Sequence, residues 1–319
     1  MGGQAPRERT PLILDCDPGH DDAVAILLAA ADPAAELLGV TAVAGNQTVD
    51  KTSYNARRVL TLAGRKDVPV AAGFAGPLVG ELTTAEEVHG STGLDGAELP
   101  EPALELDSRH GVDLLIETVL GASRPVVLVP TAPLTNVAVA LRKEPRLKGR
   151  IARIVWMGGA AGEGNVTPAA EFNAFADPEA AAMVFSAGIP LTMVGLDVTH
   201  QALLEEADLA WIRALGAPVG TAVADLLDFY RSFHRRRYAC SGFPLHDACA
   251  VAEALHPGLV RTLPMAVEVE TAGRWTRGRT VCDRWGVWER EPNAQVGVSI
   301  DREAFVAYLR DTLGRYRRV

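Results

Sequence analysis

Short apolar runs of strand length alternate with helical segments along most of this chain, and that alternation limits its fold more than any other feature. The apolar pattern predicts strands at 11–16, 37–44, 68–72, 126–129, 151–157 and 191–194. Between them it predicts helices at 21–31, 51–63, 111–120, 135–142 and 178–187. Strand followed by helix, repeated in this way, builds an α/β fold with a mostly parallel central sheet flanked by helices on both faces. The region 203–256 reads as mainly helical, 265–270 and 294–299 as late strands, and 301–313 as a closing helix. With no tandem repeat, low-complexity tract or long linker, the expectation is a single Rossmann-like domain over 11–319 after a flexible N-terminus at 1–10.

Composition narrows the partners. Lys and Arg number 31 against 40 Asp and Glu, a net charge of −9, so the basic footprint of a nucleic-acid binder is missing. The same acidic balance argues against anionic membranes, and no apolar run reaches the length of a membrane span. Four cysteines, Cys16, Cys240, Cys249 and Cys282, are scattered without a Cys-x-x-Cys pair. That usage predicts reduced thiols in a cytoplasmic protein instead of a disulfide framework or a zinc site.

Four carboxylates fall within eight residues in Asp15-Cys16-Asp17-Pro18-Gly19-His20-Asp21-Asp22, directly after the first predicted strand. In an open parallel sheet this edge, beyond the strand C-termini, is where ligands bind. Pro18-Gly19 forces a tight turn, so Asp17, Asp21 and Asp22 converge. Converging carboxylates need a positive charge among them, and hard oxygen ligands select calcium or magnesium. One Asp is readily explained as a helix N-cap, but four are not. An aspartyl-phosphate phosphatase also carries Asp-x-Asp after a strand. Its motif wants Thr or Val two residues beyond the second Asp, where this chain has Gly19.

The segment from Asp15 to Ile26 resembles the signature of the inosine–uridine preferring nucleoside hydrolase family. The resemblance continues in order through Val43–Thr48, His89-Gly90 with Gly93-Leu94, Pro130-Thr131 with Leu134–Asn136, and Met157–Gly159. It extends through Glu171–Asn173, Asp177–Glu179, Gly195–Thr199 and His246-Asp247, nearly the whole chain. It implies the nucleoside hydrolase fold, and hydrolysis of the bond between a base and a ribose, for nucleoside salvage or catabolism. The expected partner is a small-molecule nucleoside, and the expected assembly a homodimer or homotetramer.

The resemblance also implies roles. Calcium would be held by Asp17, Asp22, the backbone carbonyl of Thr131 and Asp247, with Asp177 and Asp197 outside the ion's ligands. Asp21 would be the general base toward water whose pKa the cation lowers. Asn46, Met157, Asn165, Glu171 and Asn173 would contact ribose. Glu171 and Asn173, two residues apart, would face the same way in extended backbone. His246 would be the acid that protonates the leaving base, and His89 would face that base. Tyr230, His234 and Tyr238 recur every four residues on one helix face, either an aromatic core stripe or a base-stacking wall. Arg235-Arg236-Arg237 reads as a solvated turn or helix end.

Two other classes compete. A non-catalytic nucleoside-binding protein would need neither the base Asp21 nor the acid His246. A metal-dependent phosphohydrolase should show a phosphate cradle, and the chain has no Gly-x-x-x-x-Gly-Lys loop.

Overall fold

A computed structural model describes residues 8–216, 218–238 and 242–318. Its strands are β1 (Thr10–Cys16), β2 (Ala35–Ala42), β3 (Val70–Ala72), β4 (Val126–Pro130), β5 (Ile151–Met157), β6 (Leu191–Val194), β7 (Leu203–Leu204), β8 (Phe243–Pro244), β9 (Val260–Val269), β10 (Thr280–Asp283) and β11 (Ala294–Ile300). Its first helices are α1 (His20–Ala31), α2 (Val49–Leu62), α3 (Glu86–His89), α4 (Gly111–Gly121), α5 (Thr135–Lys143) and α6 (Phe172–Ala176). The rest are α7 (Pro178–Phe185), α8 (Leu196–Thr199), α9 (Glu206–Arg213), α10 (Val219–Tyr238), α11 (His246–Leu255) and α12 (Arg302–Leu313).

Nine strands form one sheet in the order β10-β9-β11-β6-β5-β4-β1-β2-β3. From β3 to β11 the neighbours are parallel; β9 pairs antiparallel with both β11 and β10. The chain builds outward from β1 through β2 to β3, then returns to lay β4 on the other side of β1. The topological switch point of the sheet therefore lies between β1 and β4, the crevice where open α/β sheets bind ligands.

Alternation along the strands fills two apolar layers. Leu12 and Leu14 of β1 point into the layer beneath α1, α10, α11 and α12, while Ile13 points into the layer beneath α4, α5 and α7. Helix α1 is buried from His20 to Ala29, which is why its sequence is apolar nearly all round after its acidic first turn.

The expected architecture is present, with local differences. Two short strands, β7 and β8, pair across the region read as helical. Strand β9 starts earlier than 265, and β10 was not expected from the sequence. Four residues carry too little periodicity to announce a strand, and β10 exists by its pairing with β9. Residues 1–7 of the expected flexible segment lie outside the described residues, and Thr10 already opens β1.

Candidate active site

Strand β1 delivers its acidic residues into a closed polar network. Asp15, at the strand end, accepts hydrogen bonds from Thr41 Oγ1 (2.5 Å) and Asn136 Nδ2 (2.9 Å) on one oxygen. Burial pushes its carboxyl up to about 6, against the pull of those two donors. Asp17 is fully buried, and its Oδ2 accepts from the Asn46 backbone N–H at 2.6 Å. A Cβ at Gly45 would lie 2.0 Å from that same oxygen, so only glycine lets the 45–46 backbone come this close.

The turn at Pro18-Gly19 starts α1 with Asp21 and Asp22 in its first turn. Asp22 Oδ1 accepts from Thr131 Oγ1 (2.7 Å), and Oδ2 accepts from Gly19 N (3.0 Å) and Asn46 Nδ2 (3.1 Å). Thr131 follows β4, whose end is tied to β1 by the Thr131 N–H donating to Asp15 O at 2.8 Å. From the far side of the cleft, α11 supplies Asp247 as its second residue, so it is not the helix cap; Leu245 occupies that position.

Oxygens of Asp21, Asp22 and Asp247 all lie within 4.8 Å of one another, and all three residues are buried. Burial, then the charge of Asp21, raises Asp22 to about 7. Burial alone dominates for Asp21, at about 6. Asp17 and Asp247 are driven well above the carboxylate range by burial and then by neighbouring carboxylates. Asp17 Oδ1 is buried and has no hydrogen-bond partner among the described residues. So many buried carboxylates repel one another unless protons or a cation sit between them. An all-oxygen donor set with an unengaged buried carboxylate oxygen fits a hard divalent cation.

Ribose-type donors and acceptors line the same cleft. Asn46, Thr131, Met157, Asn165, Glu171, Asn173, Asp21, Asp247 and His246 share it. Glu171 and Asn173 converge, but not through extended backbone as expected. Glu171 caps α6 by accepting from Ala174 N (3.1 Å), and Asn173 is the second residue of that helix. The helix is too short for its 3.6-residue period to show in the sequence. Glu171 also accepts from Gly159 N at 2.7 Å, and burial raises it to about 7. Asn173 Nδ2 donates to the carbonyls of Thr131 (3.1 Å) and Met157 (3.0 Å). Asn165 Oδ1 accepts from Phe172 N at 3.0 Å. Asp177 and Asp197 lie elsewhere: Asp177 caps α7 and accepts from Thr135, and Asp197 accepts from Ala161 N.

The other end of the cleft is aromatic. His89 from α3, Tyr230, Phe233 and His234 from α10, and His246 from α11 line it. Tyr230 and His234 pack with ring centroids 4.4 Å apart, and Tyr230 stacks on His89 at 5.7 Å. Tyr230 and His234 thus face the cleft, while the Tyr238 side chain and Cys240 lie outside the described residues. Sequence reading missed His200, Phe233 and Arg237, which also line the cleft. The helical repeat 230, 233, 234, 237 holds the signal for two of them; spacing by four alone passes over it. Arg235, Arg236 and Arg237 are all exposed, as the solvated reading of the arginine run expects, and Arg237 in addition lies at the cleft.

A doubly wound α/β sheet with a buried carboxylate centre and an imidazole in one switch-point cleft defines a hydrolase-type site for a small polar ligand. Comparison with known proteins carries this further. Residues 12–307 match the family model described as inosine-uridine preferring nucleoside hydrolase. Over 309 residues the chain is 52% identical to the pyrimidine-specific ribonucleoside hydrolase RihA of Shewanella woodyi, covering 97% of this chain and 99% of that protein. It is 50% identical over 307 residues to the RihA of Salmonella schwarzengrund, covering 96% and 99%. Among solved structures, the purine-preferring ribonucleoside hydrolase from Gardnerella vaginalis superposes with a TM-score of 0.90 at 36% identity, covering 97% and 98%. The chain belongs to the inosine–uridine preferring nucleoside hydrolase family, and it is a nucleoside hydrolase.

Proposed function

We propose that this enzyme hydrolyses the N-glycosidic bond of pyrimidine ribonucleosides, with calcium as its resident cation. The observation that carries the reading is the meeting of Asp21, the carboxylate cluster and His246 in one cleft with Asn46, Asn165, Glu171 and Asn173. The choice of pyrimidines rests on the two relatives at 50% identity or more, both named pyrimidine-specific, against a solved structure at 36% named purine-preferring.

Asp17, Asp22, Asp247 and the Thr131 carbonyl would hold the cation. When bound, it neutralises the buried carboxylates and favours loss of a proton from water at the site. Asp21 takes that proton as water attacks the anomeric carbon. Asn46, Met157, Asn165, Glu171 and Asn173 grip the ribose. The buried carboxylate field of the cleft stabilises the positive charge that develops on the sugar as the bond breaks. His246 gives a proton to the departing base, and His89, Tyr230 and His234 surround the base. Ribose and free base are the products, which suits a role in nucleoside salvage or catabolism in the cytoplasm. Among the described residues, no helix is long and apolar enough to cross a membrane. Assembly as a homodimer or homotetramer is part of the same proposal.

A nucleoside panel scored by released ribose tests the reading. Uridine and cytidine should turn over much faster than inosine and adenosine, and exhaustive chelation should stop the reaction until calcium returns. Release of no ribose from any nucleoside overturns it. Faster turnover of purines overturns the choice of base alone.

A further inference from the structure

His246 opens α11, and its ring is held on one side by a residue with no role so far. His246 Nδ1 lies 2.7 Å from Thr199 Oγ1. Thr199 is the last residue of α8, which leaves the end of β6, and β5 stands between that strand and β4 of the carboxylate centre. It is fully buried. Its position is set by backbone bonds: Leu196 N donates to Gly159 O (3.0 Å), and Thr199 N donates to Gly195 O (3.1 Å). A Cβ at Gly195 would lie 2.6 Å from Gly159 O, so the start of α8 is pressed against the loop that carries Glu171's donor Gly159 N. The hydroxyl is thus a fixed point on a rigid element, not a rotor at the surface.

We propose that Thr199 is a positioning residue for His246, holding Nδ1 so that Nε2 is the nitrogen that exchanges a proton with the leaving base. The inference rests on the reading of His246 as the leaving-group acid. The proton count closes. In the imidazolium, Nδ1–H donates to Thr199 Oγ1 and Nε2–H faces the cleft. As the N-glycosidic bond breaks, its electron pair leaves on the base nitrogen and the Nε2 proton moves to that nitrogen. Asp21 takes a proton from the attacking water. The ring is left neutral with its remaining proton on Nδ1, still donated to Thr199. The same hydrogen bond therefore serves before and after transfer, and the ring does not turn during the step. The bond made by one ring nitrogen decides which tautomer the other presents.

The test compares Thr199→Val, which keeps the shape and removes the hydroxyl, with Thr199→Ser, which keeps the hydroxyl. Both are assayed on uridine and on a nitrophenyl riboside, whose leaving group departs as a stabilised phenolate without a proton. Thr199→Val should lower kcat on uridine by ~10–100-fold, the usual cost of losing an orienting partner of a functional histidine, with KM little changed. The loss on the nitrophenyl riboside should be far smaller, and Thr199→Ser should recover most of the uridine rate. In a His246→Ala background, Thr199→Val should add nothing further. Equal losses on both substrates, or full additivity with His246→Ala, would show Thr199 to be merely structural and overturn the proposal. If His246→Ala itself spares uridine, the acid reading fails, and the positioning role falls with it. Nitrogen-15 spectra of labelled histidine give an assay-free check, valid for any of these variants that folds. The neutral His246 ring should be the Nδ1–H tautomer in the native protein and in Thr199→Ser. An Nε2–H tautomer there, or the same tautomer in Thr199→Val, overturns the proposal.

Discussion

Asp15 and Asp21 carry carboxyls raised to about the same value, about 6, yet their surroundings give them different work. Asp15 spends one oxygen on Thr41 and Asn136 and lies outside the cleft lining. Asp21 lines the cleft, and its carboxyl lies near the His246 backbone N–H at the start of α11. A carboxylate raised toward neutrality and open to a ligand is poised to accept a proton. Asp21→Asn keeps the shape and the polar contacts but removes the acceptor. Nucleoside binding, measured by calorimetry, should survive, while turnover falls by ~10²–10⁴, the usual contribution of a general base. Retained turnover would move the role to another residue, with Asp15 the first to examine.

At the scale of elements, the site is made where β1 and β4 lie side by side, and one side chain staples that junction. Asn136, on α5, donates to Asp15 of β1 and to the Ala42 carbonyl at the end of β2, and accepts from Phe74 N. Asn136→Leu leaves these buried groups unpaired. It should cost about 1–3 kcal/mol of stability for each group that finds no new partner, read as a lower urea midpoint. An unchanged midpoint would mean that water replaces the amide. The elements themselves were legible because β1, β4 and β5 hold apolar runs at 12–14, 126–129 and 154–157 and the helices between them are long enough to show a period. The acidic turn was legible because four carboxylates in eight residues have no ordinary structural explanation. The short helices α3, α6 and α8 were not legible, since fewer than two turns carry no periodicity. That is why Glu171 and Asn173 were expected in extended backbone, why Thr199 had a place in a family segment but no role, and why His200 had neither. Asn46 and His246 were pointed to by the ordered family motifs and Asn165 by the resemblance alone, since their residue types suggest only turns and caps.

For the whole molecule, the buried acids set how stability responds to pH and to metal. Burial holds Asp15 and Asp21 at about 6, and Asp22 and Glu171 at about 7, against ordinary values of 3.8 for Asp and 4.5 for Glu. Each group binds its proton more tightly in the folded chain than in the unfolded one. Between those values the native state holds more protons, so stability falls as pH rises. The contribution is therefore fully present below about pH 4 and is lost on passing through about pH 6 to 7. Asp107 and Glu144 are held at about 2 by Arg109 and Arg146, which is the opposite sense, but they are solvent-facing pairs and act only below the ordinary carboxylate range. A divalent cation held as proposed would bind the ionised acids and reverse the trend, because its ligands must first lose their protons. Chelated protein should thus melt at progressively lower temperature from about pH 5 to about pH 7.5, the span of the shifted carboxyls. Saturating calcium should raise the melting temperature at every pH, and by more at the upper end. At a hundred times its dissociation constant a ligand adds about 2.7 kcal/mol, enough to shift a chain of this size by several degrees. Scanning fluorimetry across that pH range, with and without calcium, reads both trends. A chelated protein that grows more stable through neutrality would show that these carboxyls are ionised without help. Coincident curves with and without calcium would show that the cluster does not hold the ion.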